Sequence, residues 1–217
     1  MSLPCSEAAN REHRWREVLR DTPVWAPPPT PLVVVALRRE DATRGVGGLM
    51  ASWRSLGRPV TVVSVLEPEP RQLHHQTPED LNQLAKGIDT MALGLSTERA
   101  QRDIHRLQHR LGVLLRDEAT LHAPYEREEH AIQEAVAQLC LSLSAARGLR
   151  LLRYPLHLWR QRDPDAWTQK RTVSKLCRVD LDEASRAAKL RALGIRQRQT
   201  PTGSAFPCAR WFETLLR

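Results

Sequence analysis

Apolar residues fall in two rhythms along this chain, unbroken short runs and periodic stripes, and their alternation predicts the fold. The run LVVVA at 32–36 is rich in β-branched residues, which suits a strand covered on both faces of a parallel sheet. GGLMASWRSLG (47–57) reads as a helix closed by Gly57, and RPVTVVSVL (58–66) repeats the buried-strand pattern. Together they form a βαβ unit of ordinary size. TPEDLNQLAKGIDTMALGL (77–95) opens with Thr77 as a cap, Pro78 at the first helical position and acids in the first turn, so it predicts a helix. A second helix is expected over 96–118, where Ile104, Leu107, Leu111 and Leu114 keep helical spacing. Beyond it come a short strand at 119–125, a helix at 126–148 stopped by Gly148, strand and loop at 149–159, a strand at 177–181 and a helix at 182–199. Strands alternating with helices imply an α/β sandwich with a mostly parallel sheet.

The first 30 residues read differently. A polar stretch up to residue 22 forms one short helix with Trp15, Val18 and Leu19 on a common face, and the stiff WAPPPTP run then delivers the chain into the first strand. With 217 residues, 41% hydrophobic and 27% charged, the chain is expected to form one globular domain over 31–217 behind this lead-in at 1–30. No internal repeat is visible.

Charge adds a preference for anions. The chain carries 33 Lys and Arg against 25 Asp and Glu, a net +8, and only Lys86, Lys170, Lys175 and Lys189 are lysines. The arginines are spread along the whole length rather than gathered on one run, which argues against a nucleic-acid-binding surface. Cys5, Cys140, Cys177 and Cys208 form no CxxC pair, so a zinc ribbon or a thioredoxin-like site is not expected. No apolar run approaches the roughly 20 residues that span a bilayer, so no membrane association is expected. The N-terminus is charged, and the expectation is a cytoplasmic protein with reduced thiols. His105 and His109 lie four apart on one helical face, but no acid or cysteine is placed to complete a metal set, and they read as surface residues.

Candidate chemistry sits where the first strand ends. Arg38, Arg39, Glu40 and Asp41 form a charged knot at its carboxyl end, the edge where α/β proteins bind ligands. Two arginines and two acids there serve a ligand or neutralise one another. The loop EPEPRQLHHQ (67–76), with His74 and His75, follows the second strand on the same edge.

The frame VVVALRREDATRGVGGLMASWRSLGRPVTVVSVLEPE resembles the PIG-L or LmbE-like family of zinc-dependent N-deacetylases. That family carries a strand, an AHPDDE or PHPDDE motif, a GG opening a helix, and a second strand ending in an acidic loop; Gly47, Gly48, Gly57 and Glu67 keep these marks. LHAPYEREEHAIQEAVA resembles the segment in which HPDH begins a helix. YPLHLWRQRDPDAW and RVDLDEASRAAKLRALGIRQRQT resemble the closing region, where a lysine-bearing helix runs into H-x-S-Q. The likeness covers about residues 30 to 200 and implies a three-layer, Rossmann-like α/β sandwich. In such a site two imidazoles and a carboxylate hold zinc, the metal activates water, an aspartate takes the proton, and the metal with a further histidine stabilises the oxyanion.

Carried over residue by residue, the resemblance puts Arg38 at the first metal histidine, and a guanidinium has no lone pair for zinc. Glu40 falls on the catalytic base, Asp41 on the carboxylate ligand and Ala42 on the motif's final glutamate. Arg127 replaces the first histidine of HPDH while His130 keeps the last, a metal ligand. Arg196 stands for the closing histidine, Arg198 for the serine, and Gln199 is retained. Two of three expected zinc ligands therefore remain, Asp41 and His130, and Arg38, Arg127, Arg196 and His157 become candidates for holding a small anionic or amino-sugar ligand.

Three readings follow. One is a descendant with impaired zinc hydrolysis and a salt-bridged, anion-binding pocket. Another is a working N-deacetylase that recruits His74, His75 or His157 as a third ligand. The last is an arginine-rich, non-catalytic binding or scaffold module. Individual residues also have plainer roles open to them. Glu40 and Asp41 suit a helix N-terminus, His130 suits a polar helix start, and Trp159, Trp167 and Trp211 suit core packing as well as sugar stacking.

Overall fold

Residues 32–36 and 60–66, dense in valine, take extended backbone and bury nearly every side chain, as strands covered on both faces must. In chain order the elements of this computed structural model are β1 (Leu32–Ala36), α1 (Arg39–Ser55), β2 (Val60–Leu66), α2 (Glu79–Leu84), β3 (Ile88–Leu95), α3 (Ile104–Leu114), β4 (Thr120–Pro124), α4 (Ala131–Arg147), β5 (Arg150–Tyr154), β6 (Leu176–Asp180), α5 (Glu183–Gln199) and β7 (Phe212–Leu216). It describes residues 14–15, 17–66, 79–96, 103–115, 119–125, 131–156, 176–199 and 212–216, with backbone alone at 79–80, 195–199 and 212–216.

The strands form one sheet in the order β3-β2-β1-β4-β5-β7-β6. β3, β2, β1, β4 and β5 run parallel, and β7 is antiparallel to both of its neighbours. One face buries Leu32, Val34 and Ala36 under α1, together with Leu81 and Leu84 of α2 and Ala192 of α5. The other buries Val33 and Val35 with Leu107 and Leu111 of α3 and Val136, Leu139 and Cys140 of α4. Helix, sheet and helix layers thus make the α/β sandwich with a mostly parallel sheet that the pattern predicts, in the three layers that the resemblance implies.

The glycines of α1 set how closely it lies. A Cβ on Gly45 would fall 2.3 Å from Tyr154 Cδ2, and one on Gly48 would fall 2.3 Å from Leu181 Cδ1. Only hydrogen fits at either contact, and the helix kinks between them at Val46, whose φ/ψ of −134° and 26° are not helical.

Several boundaries correct the sequence expectation. α1 begins at Arg39 rather than at 47, so the charged knot is its first turn. The helix expected over 77–95 stops at Leu84, and Gly87 turns the chain with φ of +77° into β3. There, ladder pairing from Val60↔Ile88 to Ser64↔Ala92 overrides the local helical pattern. β3 is the outer strand on that side, exposed from Asp89 to Ala92. The helix expected over 96–118 is described from Ile104 to Leu114. β7 is an addition, since 212–216 carries no assigned element in the sequence reading.

The residues before β1 lie on the body as a strap. Trp15 is fully buried, and Leu19 and Trp25 nearly so. Trp25 N–H donates to the Arg178 carbonyl (2.8 Å) and Arg178 N–H to the Pro23 carbonyl (2.9 Å), adding a one-residue parallel bridge to β6. Side chains tie down the rest. The Arg178 guanidinium donates to the Leu19 and Arg20 carbonyls, Arg58 to those of Pro27 and Pro28, and Trp53 Nε1 to that of Thr30.

Candidate functional site

The strand order reverses direction between β1 and β4: the chain builds outward from β1 through β2 to β3, then returns to β4 and β5. At such a switch point the carboxyl ends of the strands part and leave a crevice. Here the β1–β4 ladder covers only Leu32 to Val34, whereas β1 and β2 stay paired through Ala36. Tyr154 crosses from β5 and donates its hydroxyl to the Val35 carbonyl at 2.7 Å, next to the end of the shortened ladder.

Arg38, Glu40 and Asp41 stand at this opening. Arg38 keeps an extended backbone (φ −125°, ψ 152°) at the cap of α1. Asp41 reaches back so that Oδ2 accepts the Arg38 N–H at 3.0 Å, while Asp41 N–H donates to the Arg38 carbonyl at 2.9 Å. The carboxylate is therefore engaged in closing the helix start, half of a capping box. Its Oδ1 also lies 3.8 Å from Arg44 Nη1, an ion pair one turn on. Burial pushes the Asp41 carboxyl above its ordinary range and the Glu40 charge adds to this, against the opposing Arg38 N–H bond and the Arg44 and Arg38 charges. Glu40 is itself buried.

From 38 to 44 the segment holds three guanidiniums, Arg38, Arg39 and Arg44, against two carboxylates. Arg39 Nη1 is buried and, among the described residues, has no hydrogen-bond partner. Sequence reasoning left Arg39 either to serve a ligand or to neutralise an acid of the knot, and did not single out this buried donor. It also missed Tyr154 and the pair at the ends of β4 and β5, where the buried Arg153 guanidinium lies over the Tyr125 ring at 5.8 Å. The signal for Tyr154 is the glycine at 45 that makes room for its ring.

Arg196 lies on α5, which packs across α1: Lys189 of that helix passes Gly47, its Cγ 3.4 Å from where a Cβ would be. The Arg196 side chain falls outside the described residues, as do Glu67, His74, His75, Arg127, His130 and His157. Among the described residues no three His, Cys, Asp or Glu side chains are grouped to hold a metal ion. At the head of α1, Arg38 and Arg39 are permanent cations with no lone pair for a metal and Asp41 serves the Arg38 N–H, so these described residues do not by themselves make a zinc site. Of the thiols, Cys140 and Cys177 are fully buried, and burial pushes Cys140 up to about 12, which makes it no nucleophile. No helix among the described residues is long and apolar enough to cross a membrane.

One expected result arises directly. Asp41→Asn keeps an oxygen for the Arg38 N–H and removes a buried charge. Because the folded protein holds the Asp41 proton more tightly than the unfolded chain, stability from this group is greatest at low pH and declines as pH rises past the usual carboxylate range. The variant should therefore match or exceed the parent in urea denaturation at pH 7 and lack that part of the decline.

No protein-family model and no curated protein matches the sequence. Solved structures do match. Dbv21, the A40926 pseudoaglycone deacetylase, aligns over 87% of this chain and 97% of its own with 16% identity and a TM-score of 0.62. The N,N'-diacetylchitobiose deacetylase of Pyrococcus horikoshii aligns over 93% of this chain and 82% of its own with 15% identity and a TM-score of 0.57. The chain has the fold these deacetylases share. The deacetylase fold is not confined to one reaction. GalB, the 4-carboxy-2-hydroxymuconate hydratase of Pseudomonas putida, matches over 86% of this chain and 95% of its own with 13% identity and a TM-score of 0.52.

Proposed function

We propose that this chain uses the deacetylase fold to bind a small anionic or amino-sugar ligand at the β1/β4 crevice, with zinc-dependent hydrolysis impaired. The observation that carries this reading is the head of α1: Arg38, which the sequence resemblance sets against the family's first ligand, is a guanidinium at the cap position, and the neighbouring Asp41 closes the helix by accepting the Arg38 N–H. Arg38 and the unsatisfied donor of Arg39 supply planar, charged contacts for a phosphate or carboxylate. The sequence resemblance adds Arg127, Arg196 and His157 as candidate ligand contacts, Asp41 and His130 as the remnant of the metal site and Glu40 as that of the base. The hydratase on the same fold supports chemistry other than deacetylation.

The test combines metal analysis with binding. Protein purified with zinc present should retain well under one metal per chain and release no acetate from N-acetylglucosamine conjugates. Arg38→Ala and Arg39→Ala should each weaken binding of a phosphorylated or carboxylated amino sugar about tenfold, the usual scale for one charge-assisted contact. One tightly held zinc per chain with chelator-sensitive acetate release would overturn the proposal. It would favour instead a deacetylase that completes the metal set from His74, His75 or His157.

A further inference from the structure

β4 is an interior strand, and its central residue on the α1 face is a histidine. His122 is fully buried, paired in register with Val34 on one side and Leu152 on the other. Among the described residues neither of its ring nitrogens has a hydrogen-bond partner. What lies against the ring is Trp25 of the strap, 5.8 Å away between centroids and tilted by 57°. Trp25 in turn stacks on Trp53 at 6.0 Å. The strap therefore helps keep this imidazole from water.

We propose that His122 and Trp25 form an acid-sensitive latch: a proton on the imidazole releases the strap around Trp25 from the body while the parallel sheet stays folded. A charged ring here would be buried without a partner, a costly state that opening relieves by admitting water. The strap is the part that yields, because a one-residue bridge and a handful of side-chain donors hold it, whereas β4 is laddered on both sides. Among the described residues, the surrounding charges do not offset a proton. Arg58 lies over the Trp53 ring and Arg178 under the strap, both cations. Asp180 is exposed and paired with Arg178, and Glu17 and Asp21 of the strap are exposed.

Burial alone lowers the ring to about 3 from its ordinary 6.5, so between these values the open form holds one more proton than the closed form. Falling pH below 6.5 thus favours opening, up to tenfold per unit. From pH 7.5 to 4.5 the open population should rise roughly a hundredfold.

Hydrogen exchange on the full chain, corrected for intrinsic rates, reads this directly. Amides of Trp25 and Arg178 should lose protection by that factor while β1 and β4 remain protected, and His122→Phe should remove the response. Histidine-labelled unaltered protein, followed by NMR, should show the His122 ring protonating in step with strap opening. The proposal is overturned by strap protection that ignores pH, by the same loss in His122→Phe, by β4 opening together with the strap, or by a ring that titrates near 6.5 while the strap stays protected.

Discussion

Gly45→Ala is expected to destabilise the protein by about 3 kcal/mol or more and to lower its melting temperature by roughly 10 °C, given overpacking costs and the per-kcal shift typical for this chain length. The added Cβ would lie 2.3 Å from Tyr154 Cδ2, 2.8 Å from Cε2 and 3.0 Å from Cγ. Tyr154 has nowhere to go. It is fully buried, its hydroxyl is committed to the Val35 carbonyl at 2.7 Å, and its backbone pairs with β4. If the ring swings out, a buried carbonyl loses its donor, at about 1–3 kcal/mol. If α1 lifts instead, its head is displaced, and the ligand contacts proposed for Arg38 and Arg39 go with it. A double-mutant cycle separates cause from coincidence: in a Tyr154→Ala background, Gly45→Ala should cost less than half as much. Equal costs in both backgrounds would show that this contact is not what the glycine serves.

Trp53→Ala carries the second large effect, about 4 kcal/mol by the usual cost of emptying a buried aromatic site. Trp53 is fully buried, stacks on Trp25 at 6.0 Å with an interplanar angle of 22°, and donates Nε1–H to the Thr30 carbonyl at 2.8 Å. Its loss removes core volume and an anchor of the strap together. Trp53→Phe retains most of the packing and forfeits the hydrogen bond, so about 1–2 kcal/mol is expected. Urea denaturation of both variants measures the difference. Near-equal costs would mean that the ring volume contributes little.

What the sequence makes legible is local. β1 and β2 announce themselves by unbroken valine-rich runs, and α5 by its length after a strand, because these signals need no distant partner. The start of α1 was half legible: Glu40 and Asp41 suit a helix N-terminus, but an arginine at the cap position offers no side-chain acceptor, so the helix reads from the glycines at 47 although Asp41 supplies the other half of the capping motif. β3 escaped because DTMALGL has no alternation on its own and becomes a strand by docking on β2. β7 is five residues joined to β5 and β6, and nothing nearby in sequence encodes that pairing. The charged knot was readable as a candidate site because it follows a buried strand. The roles within it were not, since which acid faces which cation is decided by the turn geometry of Arg38–Asp41 and by the approach of Tyr154 from β5.

The outer strand of the sheet shows how the same chain guards against self-templating. Among the described residues β3 has no strand beyond it, and an edge row of main-chain donors and acceptors of this kind is the usual seed of fibrillar growth. The flush ladder with β2 lasts only from Ile88 to Ala92, with the Asp89 charge within it, before the register shifts between Ser64 and Leu66 opposite a Gly94 with φ of +63°. A template this short, charged and bent offers a poor platform for stacking further strands.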